Sequence, residues 1–354
     1  MSARAARLVL VALAGILVAG LIQVPDERGA PGQRGDGADQ SLHTQTIARL
    51  RGGESYYVAV GDELRRRGFP TASVLNWRTP VLFSALSVQP DLGRVAFVVF
   101  ALLVLAHTVR LLSRQPVAVV LGGAIAQSGA IGVMFDSQVW VFHEIWAGYL
   151  LALSAFVYAL RHWTLGAVLG LLALFVRELA APFVVICACL AWRAGRRREL
   201  GVWIAGLCLY AVHYGWHFRQ VLAHQQPGDV AHPASWLHFG GVPFILTTLR
   251  TNSLLHNAST WLAAVFFVIL IAGLLTRALP SHLRAAVVVY VACFALAGQP
   301  FNWYWGWLPG FVIPVVFAHG LLELPSLVST AANLRHVRTD PQGLRGTHSG
   351  DAAP

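Results

Sequence analysis

The sequence has little charge and no lysine, so all 26 of its basic residues are arginines. Only 12% of the 354 residues are charged, whereas 56% are hydrophobic and the mean hydropathy is +0.60. A single soluble core of this length cannot enclose so much apolar side chain. The scarcity of charge therefore argues against an ordinary soluble domain and predicts an integral membrane protein.

Cysteine is also scarce, and the common nucleotide-binding motifs are missing. The four cysteines all fall inside apolar segments without the spacing of zinc ligands: Cys187, Cys189, Cys208 and Cys293. We find no P-loop, dinucleotide fingerprint or internal repeat. The net charge is +10, but the arginines are spread over many loops, so nucleic acid is not an expected partner. Anionic membrane lipids are the expected partners of these arginines.

Long apolar segments are what the sequence does contain. A helix that crosses a bilayer needs about 20 apolar residues. The segments that qualify are 8–24, 95–112, 117–135, 139–160, 202–218, 261–276, 285–297 and 305–322. The run 164–192 is longer than one crossing needs and is interrupted by Arg177 and Glu178, which predicts two short helices meeting there. We expect an all-α polytopic membrane protein with about ten spans.

The arginines also predict an orientation, because short cytoplasmic loops retain basic residues. With the N-terminus inside, every inner connection carries at least one arginine, and most of the 16 carboxylates lie outside. We expect a multi-pass plasma-membrane protein with both termini in the cytoplasm and its chemistry on the extracytoplasmic face. The first segment is interpreted as an uncleaved anchor, with a cleaved signal peptide as the alternative.

The polar intervals divide the chain. We expect a membrane domain over residues 1–324 and a flexible cytoplasmic tail over 325–354. Residues 25–92 form the first long outer loop, where apolar residues at helical spacing predict amphipathic helices on the membrane surface. Residues 219–260 form the second long outer loop.

Three charged residues lie at the outer ends of apolar helices: Glu144, Arg177 and Glu178. A charge at such a place costs at least ~2.5 kcal/mol unless it meets a partner or a wet cavity. This cost points to function, and the alternative is that the residues only cap helix ends and neutralise one another. The stretch FNWYWGW, residues 301–307, is typical of the aromatic belt at a membrane interface, with a sugar-stacking surface as the alternative.

Two groups of residues carry a resemblance to a known family. The first outer loop has a carboxylate, a tyrosine three residues later, a helix ended by glycine and two prolines before the next span: Glu54, Tyr57, Gly68, Pro70 and Pro80. Further on, an acid opens a span, a basic inner turn follows and the next span ends in a basic residue: Glu144, Arg161 and Arg177. This order resembles the GT-C fold membrane glycosyltransferases, which use polyprenyl-phosphate-linked sugars. It covers roughly residues 1–193 and implies a GT-C-like bundle, in a minimal form without a soluble C-terminal domain.

The resemblance implies transfer of a hexosyl or pentosyl group, with inversion, from a polyprenyl-phosphate donor to a cell-envelope glycan or lipid acceptor. Glu54 is the expected general base. Arg177, Arg78 and Arg250 are expected to bind the donor phosphate, because guanidinium groups match phosphate oxygens. The other residues expected to contact substrate are Tyr57, His143, Glu144 and Glu178.

Some alternatives stay open from the sequence. No metal ligands are assigned, and a divalent metal stays open as an alternative cofactor. Many relatives have paired acids at the position of Glu54, whereas Gly53 and Ser55 flank it here, and this departure argues against a metal held by paired acids. A polytopic transporter or flippase of lipid-linked sugars is the second candidate function, with Glu144 and Arg177 as pathway charges. A non-catalytic membrane assembly protein is the third.

Overall fold

The computed structural model describes residues 2–22, 38–132, 139–231, 238–256 and 258–338. Within these ranges the chain is helical and has no strand, which confirms the all-α prediction. The α-helices are α1 (Ala3–Ile22), α2 (Ala38–Arg51), α3 (Tyr56–Arg66), α4 (Pro80–Val88), α5 (Pro90–Leu112), α6 (Val117–Ile131), α7 (His143–Ala159), α8 (Trp163–Val176), α9 (Ala181–Arg193), α10 (Arg197–His224), α11 (Gly241–Thr251), α12 (Thr260–Leu275), α13 (Ser281–Leu296), α14 (Trp307–Gly310) and α15 (Ile313–Arg338). Short 3-10 helices lie at Val74–Asn76, Val139–Val141, Glu178–Ala180 and Pro300–Gly306.

The helix break expected at the charged pair is present. Helix α8 ends at Val176, and Arg177 has an extended backbone with φ −149° and ψ 119°. A 3-10 turn, Glu178–Ala180, then leads into α9, whose first turn contains Pro182. Proline suits a first turn because its missing N–H is not needed there. The run 164–192 is therefore two short helices, as predicted.

The C-terminal part differs from the prediction. The expected span 305–322 is divided into the 3-10 helix Pro300–Gly306, the single turn α14 and the long helix α15. Pro309 and Pro314 lie on either side of the interruption, and each lacks the N–H that would continue a helix. Helix α15 continues through Arg338, well into the region expected to be a flexible tail. The rest of that predicted tail, from residue 339, lies outside the described residues.

The interval predicted to be the first outer loop is helical, in its described part, where amphipathic helices were predicted. Helix α3 buries Tyr56, Tyr57, Val60 and Leu64. The turn after it contains Gly68 at φ +64°, a left-handed conformation that glycine adopts without steric cost. The part of this loop before residue 38 lies outside the described residues.

Helix α7 is the central helix of the fold, and its residues from His143 to Tyr158 are all buried. It packs against α5, α8, α13 and α14. A Cβ at Gly148 would lie 2.3 Å from the Trp307 carbonyl oxygen, so glycine allows α14 to approach closely. The fold therefore places His143 and Glu144, at the start of α7, inside the protein.

The peripheral helices expose large apolar side chains. Helix α5 exposes Val95 and Leu102, and α10 exposes Leu209 and Val212. Among the described residues, two helices are long and apolar enough to cross a membrane, namely α5 and the part of α15 from Ile313 to Ala332. The apolar helices α6, α8, α12 and α13 are shorter. By these criteria the described helices include two candidate membrane spans, and the prediction of about ten spans stays a prediction.

Candidate functional site

A buried ion pair joins the start of α7 to the break between α8 and α9. Arg177 Nε donates to Glu144 Oε1 at 2.7 Å, and Arg177 also pairs with the neighbouring Glu178. The exposed fraction is 0% for the Glu144 side chain and 3% for Arg177. The extended backbone of Arg177 ends α8. Its side chain lies beside the N-terminus of α7, where Glu144 is found. The charges of Glu144 and Arg177 are therefore both shielded from water.

Arg78 is the second arginine at this point. Its Nη2 lies 3.8 Å from Glu144 Oε1, the oxygen that Arg177 also approaches, and its Nη1 donates to the Leu75 carbonyl at 3.1 Å. The adjacent Thr79 donates its hydroxyl to the Phe175 carbonyl at 3.1 Å. This bond attaches the segment carrying Arg78 to the end of α8, so both guanidinium groups converge on Glu144.

Two histidines border these charges. The rings of His43 and His143 lie 5.6 Å apart, and Phe83 contacts both. His43 is in α2, within the interval 25–92 predicted to be the first outer loop. Burial, together with the charges of Arg78 and Arg177 and against the opposing charge of Glu144, lowers the pKa of His43 to about 3. His43 is therefore neutral at physiological pH, and its ring offers one donor and one acceptor.

We call Arg78, His143, Glu144, Arg177 and Glu178, together with His43, the Glu144 cluster. Several of its buried polar atoms have no hydrogen-bond partner among the described residues: His43 Nδ1, Arg78 Nε and Glu144 Oε2. Leaving a buried polar atom unpaired costs about 1–3 kcal/mol, and folded proteins contain few such atoms. Their concentration here indicates a place where a bound molecule or water completes the hydrogen bonding.

Glu54 belongs to a different group of charges. Its carboxylate accepts hydrogen bonds from Arg49, one from Nε at 2.5 Å and one from Nη2. The same guanidinium reaches Asp62 at 2.9 Å and Glu63 at 3.1 Å. These bonds, the one to Glu54 above all, raise the pKa of Arg49 and keep it charged. We call Arg49, Glu54, Asp62 and Glu63 the Arg49 cluster.

The Arg49 cluster and the Glu144 cluster are neighbours, connected through Tyr56. Tyr56 follows Glu54 by two residues, and its hydroxyl donates to the Arg78 carbonyl. Sequence reasoning assigned no role to Arg49, although this arginine at the end of α2 lies only five residues before Glu54. That short separation was the available signal.

Two of the predicted residues have other partners. The Tyr57 hydroxyl hydrogen-bonds His217 Nδ1 at 2.9 Å, and its ring packs against Trp216 and His224. Arg250, in α11, donates to Thr260 Oγ1 at 3.2 Å. These contacts tie Tyr57 to α10 and Arg250 to α12. The structure brings the other predicted residues together in the Glu144 cluster, apart from Glu54 in the Arg49 cluster.

The histidines, cysteines and carboxylates do not suggest a metal centre. Within the described ranges, no group of three or more such side chains is arranged to hold a metal ion. His217, one of the histidines in α10, instead bonds Tyr57 and the Trp77 carbonyl, at 2.9 and 3.1 Å. The structure therefore offers no ready set of ligands for the divalent metal left open above.

No protein-family model, curated protein or solved structure matches this chain. The resemblance to GT-C glycosyltransferases therefore rests on the short motifs in the sequence. What the structure adds is the geometry of the two clusters.

Proposed function

We propose that this protein is an integral membrane glycosyltransferase of GT-C type, which transfers a sugar from a polyprenyl-phosphate donor to a glycan or lipid acceptor of the cell envelope. The observation that carries the proposal is the Glu144 cluster, where Arg78 and Arg177 converge in a buried and incompletely hydrogen-bonded site. A site for a lipid-linked anion needs this combination of cations and surrounding apolar helices.

The distribution of polarity supports a membrane location. Soluble monomers rarely expose contiguous apolar patches larger than a few hundred Å². Here α5 and α10 expose valines and leucines, whereas Glu144 and Arg177 are buried. This arrangement is the reverse of a soluble protein and fits a bilayer around the helices. We place α2, α3 and α4 at the extracytoplasmic surface of the plasma membrane and both termini in the cytoplasm.

Arg78 and Arg177 are the phosphate-binding residues of the proposal. Hydrogen bonds between a guanidinium and a phosphate are charge-assisted and stronger than neutral ones. Glu144 and Glu178 balance the two arginines when the site is empty. Glu178, at 17% exposure, is the more accessible of the two carboxylates. We propose that the donor phosphate displaces Glu178 and takes its position beside Arg177.

Glu54 is the proposed base because it is accessible. Its side chain is 31% exposed, whereas Glu144 is fully enclosed. A carboxylate has about four lone-pair directions, and the two bonds from Arg49 leave others free to accept a proton. Glu54 takes the proton of the acceptor hydroxyl while the oxygen of that hydroxyl forms a bond to the anomeric carbon of the sugar. The bond from that carbon to the phosphate oxygen breaks, and the departing phosphate keeps the electron pair beside Arg78 and Arg177.

Donor turnover in membranes tests this assignment, with Glu54→Gln beside wild type and radiolabelled polyprenyl-phosphate hexoses and pentoses as donors. We expect a loss of about 10²-fold or more, as for other general bases. Asp62→Asn is the matched control, because Asp62 binds the same guanidinium and is exposed to solvent. Full turnover by E54Q would exclude the base, and an equal loss in D62N would show that the Arg49 cluster acts only through structure.

One observation favours a transporter as the second candidate. The apolar run 164–192 is interrupted at Arg177, and secondary transporters bind substrates at such broken helices. Proteoliposomes separate the two functions, because a transporter moves a labelled lipid-linked sugar across the bilayer without consuming it. A glycosyltransferase releases the bare polyprenyl phosphate when acceptor is present.

A further inference from the structure

Residues 301–307, which we call the Trp segment, are fixed firmly in the fold. Asn252 Nδ2 donates to the Trp303 carbonyl at 2.7 Å. A Cβ at Gly306 would lie 2.5 Å from Asn252 Nδ2 and 2.9 Å from Thr248, so the segment packs closely on α11. These contacts with α11 therefore fix the position of the Trp segment.

The Trp segment adjoins the Glu144 cluster. The ring of Phe142, the residue before His143, lies 5.1 Å from His43, 5.4 Å from Trp307 and 6.3 Å from Tyr304. Tyr304 also interacts electrostatically with the charges of the cluster, both arginines and Glu144. One aromatic ring thus connects the charged groups to the tryptophans.

The Trp segment contains three buried N–H donors without a hydrogen-bond partner among the described residues: Asn302 Nδ2, Trp305 Nε1 and Trp307 Nε1. Asn302 is 2% exposed and Trp307 4%. A tryptophan of the membrane belt directs its N–H towards water or head groups. Trp303, at 36% exposure, fits that description, whereas the buried N–H groups of Trp305 and Trp307 do not.

The chemistry of these donors indicates what they bind. The indole N–H can only donate, so its partner is an oxygen acceptor, charged or neutral. A phosphate is served better by the arginines of the Glu144 cluster, and a hydrocarbon chain offers no acceptor. A hydroxyl-rich group with apolar C–H faces satisfies both the donors and the aromatic rings.

We infer that the Trp segment is the carbohydrate-binding part of the site and holds the sugar of the donor while Arg78 and Arg177 hold its phosphate. This inference rests on the proposed function and assigns the sugar to Asn302, Trp305 and Trp307. Sites that hydrogen-bond a substrate hydroxyl reject analogues lacking it, because their own polar groups are then left unpaired. These three residues therefore determine which sugar is accepted.

The test uses synthetic farnesyl phosphate and a panel of farnesyl-phosphoryl hexoses and pentoses, with binding to the purified full-length protein measured by calorimetry. We expect at least one sugar-bearing probe to bind wild-type protein more tightly than farnesyl phosphate alone. Trp305→Phe and Trp307→Phe keep a ring but remove the N–H, so each should reduce that advantage by about fivefold, the value of one hydrogen bond. Their affinity for farnesyl phosphate should not change.

Trp303→Phe is the matched control and should retain the full advantage of the sugar. If W307F does not fold, W305F and Asn302→Ala, which removes the amide donor, keep the test decisive. An undiminished advantage in the folded variants, or no advantage in wild type, would overturn the inference and leave the proposed function standing. Failure of wild-type protein to bind any probe would contradict the proposed function itself.

Discussion

Two groups of ionic contacts join distant parts of this chain, and they differ in how completely their polar atoms are paired. One is the Glu144 cluster. The other, which we call the Asp229 cluster, consists of Arg65, His224, Gln226 and Asp229. Arg65 Nε and Nη2 donate to the two oxygens of Asp229 at 2.8 and 2.9 Å, and Nη2 also donates to the His224 carbonyl at 2.8 Å. The Gln226 amide donates to the same carboxylate at 2.9 Å.

The Asp229 cluster connects the C-terminal end of α3 to the end of α10 and the segment after it. Beside it, the Ala72 amide bonds the Val230 carbonyl at 3.1 Å, and Gln225 donates to the Ala72 carbonyl at 2.9 Å. The hydrogen bond from Arg65 lowers the pKa of Asp229. Complete pairing at a partly exposed place is what a structural contact needs. Incomplete pairing at a buried place, as at Glu144, is the reason for which we propose a binding site there.

The largest effect on stability is expected from Arg177→Met. Removing one partner of a buried ion pair leaves the other charge uncompensated, which costs about 3–5 kcal/mol. The free energy of unfolding in detergent micelles measures this loss. Arg66→Met is the control, since Arg66 is 68% exposed and should change stability little. A loss below about 1 kcal/mol for R177M would place the pair in contact with water.

Phosphate binding should separate two of the predicted arginines. Arg78→Gln removes a charge-assisted hydrogen bond of about 1.5–3 kcal/mol and should weaken farnesyl phosphate binding by roughly 10- to 100-fold. Arg250→Gln, whose parent arginine joins α11 to α12, should leave that affinity unchanged. Calorimetry on both variants checks this. The opposite ranking would move the phosphate site to α11.

The pH dependence of the free energy of unfolding should include a contribution from the protonation of His43. Its pKa is about 3 in the folded protein and 6.5 ordinarily, so the unfolded chain binds the extra proton between these values. Stability is fully present above pH 6.5 and falls as the pH drops towards 3, by at most about 1.4 kcal/mol per pH unit. His43→Gln should reduce this slope in unfolding experiments by the contribution of one histidine. Asp229, whose pKa is lowered, contributes to the pH dependence of stability at more acidic pH than most of this window. An unchanged slope in H43Q would show that the ring is charged or exposed.

The smallest effect is expected at the Asp229 cluster. Asp229→Asn should cost about 1 kcal/mol of stability and leave donor binding intact, because Arg65, at 21% exposure, stays in contact with water. Asp91→Asn is the matched control, since Asp91 is 92% exposed beside Arg94. Thermal unfolding with farnesyl phosphate calorimetry measures both properties. Loss of donor binding in D229N would remove the distinction between the two clusters.

Local chemistry made several features predictable from the sequence. Arg177 and Glu178 interrupt an apolar run, so the helix break there could be placed correctly. Gly68 and the apolar spacing before it predicted the end of α3. Pro309 and Pro314 were visible signals for the break in the last predicted span, which the hydropathy pattern alone concealed.

Contacts between distant segments were not predictable. Arg65 and Asp229 are separated by 164 residues, and nothing in either segment indicates the partner. The approach of Arg78 to Glu144 depends on how residues 69–79 cross the end of α8. The pairing of Arg49 with Glu63 needs α2 to pack on α3. The cluster that each charge joins follows from packing, which a single sequence does not encode in any local pattern.

The most direct test of the central claim is the double variant Glu144→Leu/Arg177→Met, examined for unfolding free energy and farnesyl phosphate binding. Replacing a buried ion pair by apolar residues of similar volume is often neutral or stabilising. We predict stability within about 1 kcal/mol of wild type and a loss of affinity of at least about 100-fold. A double variant that is stable and binds farnesyl phosphate as tightly as wild type would contradict the account, because the pair would then serve the fold alone.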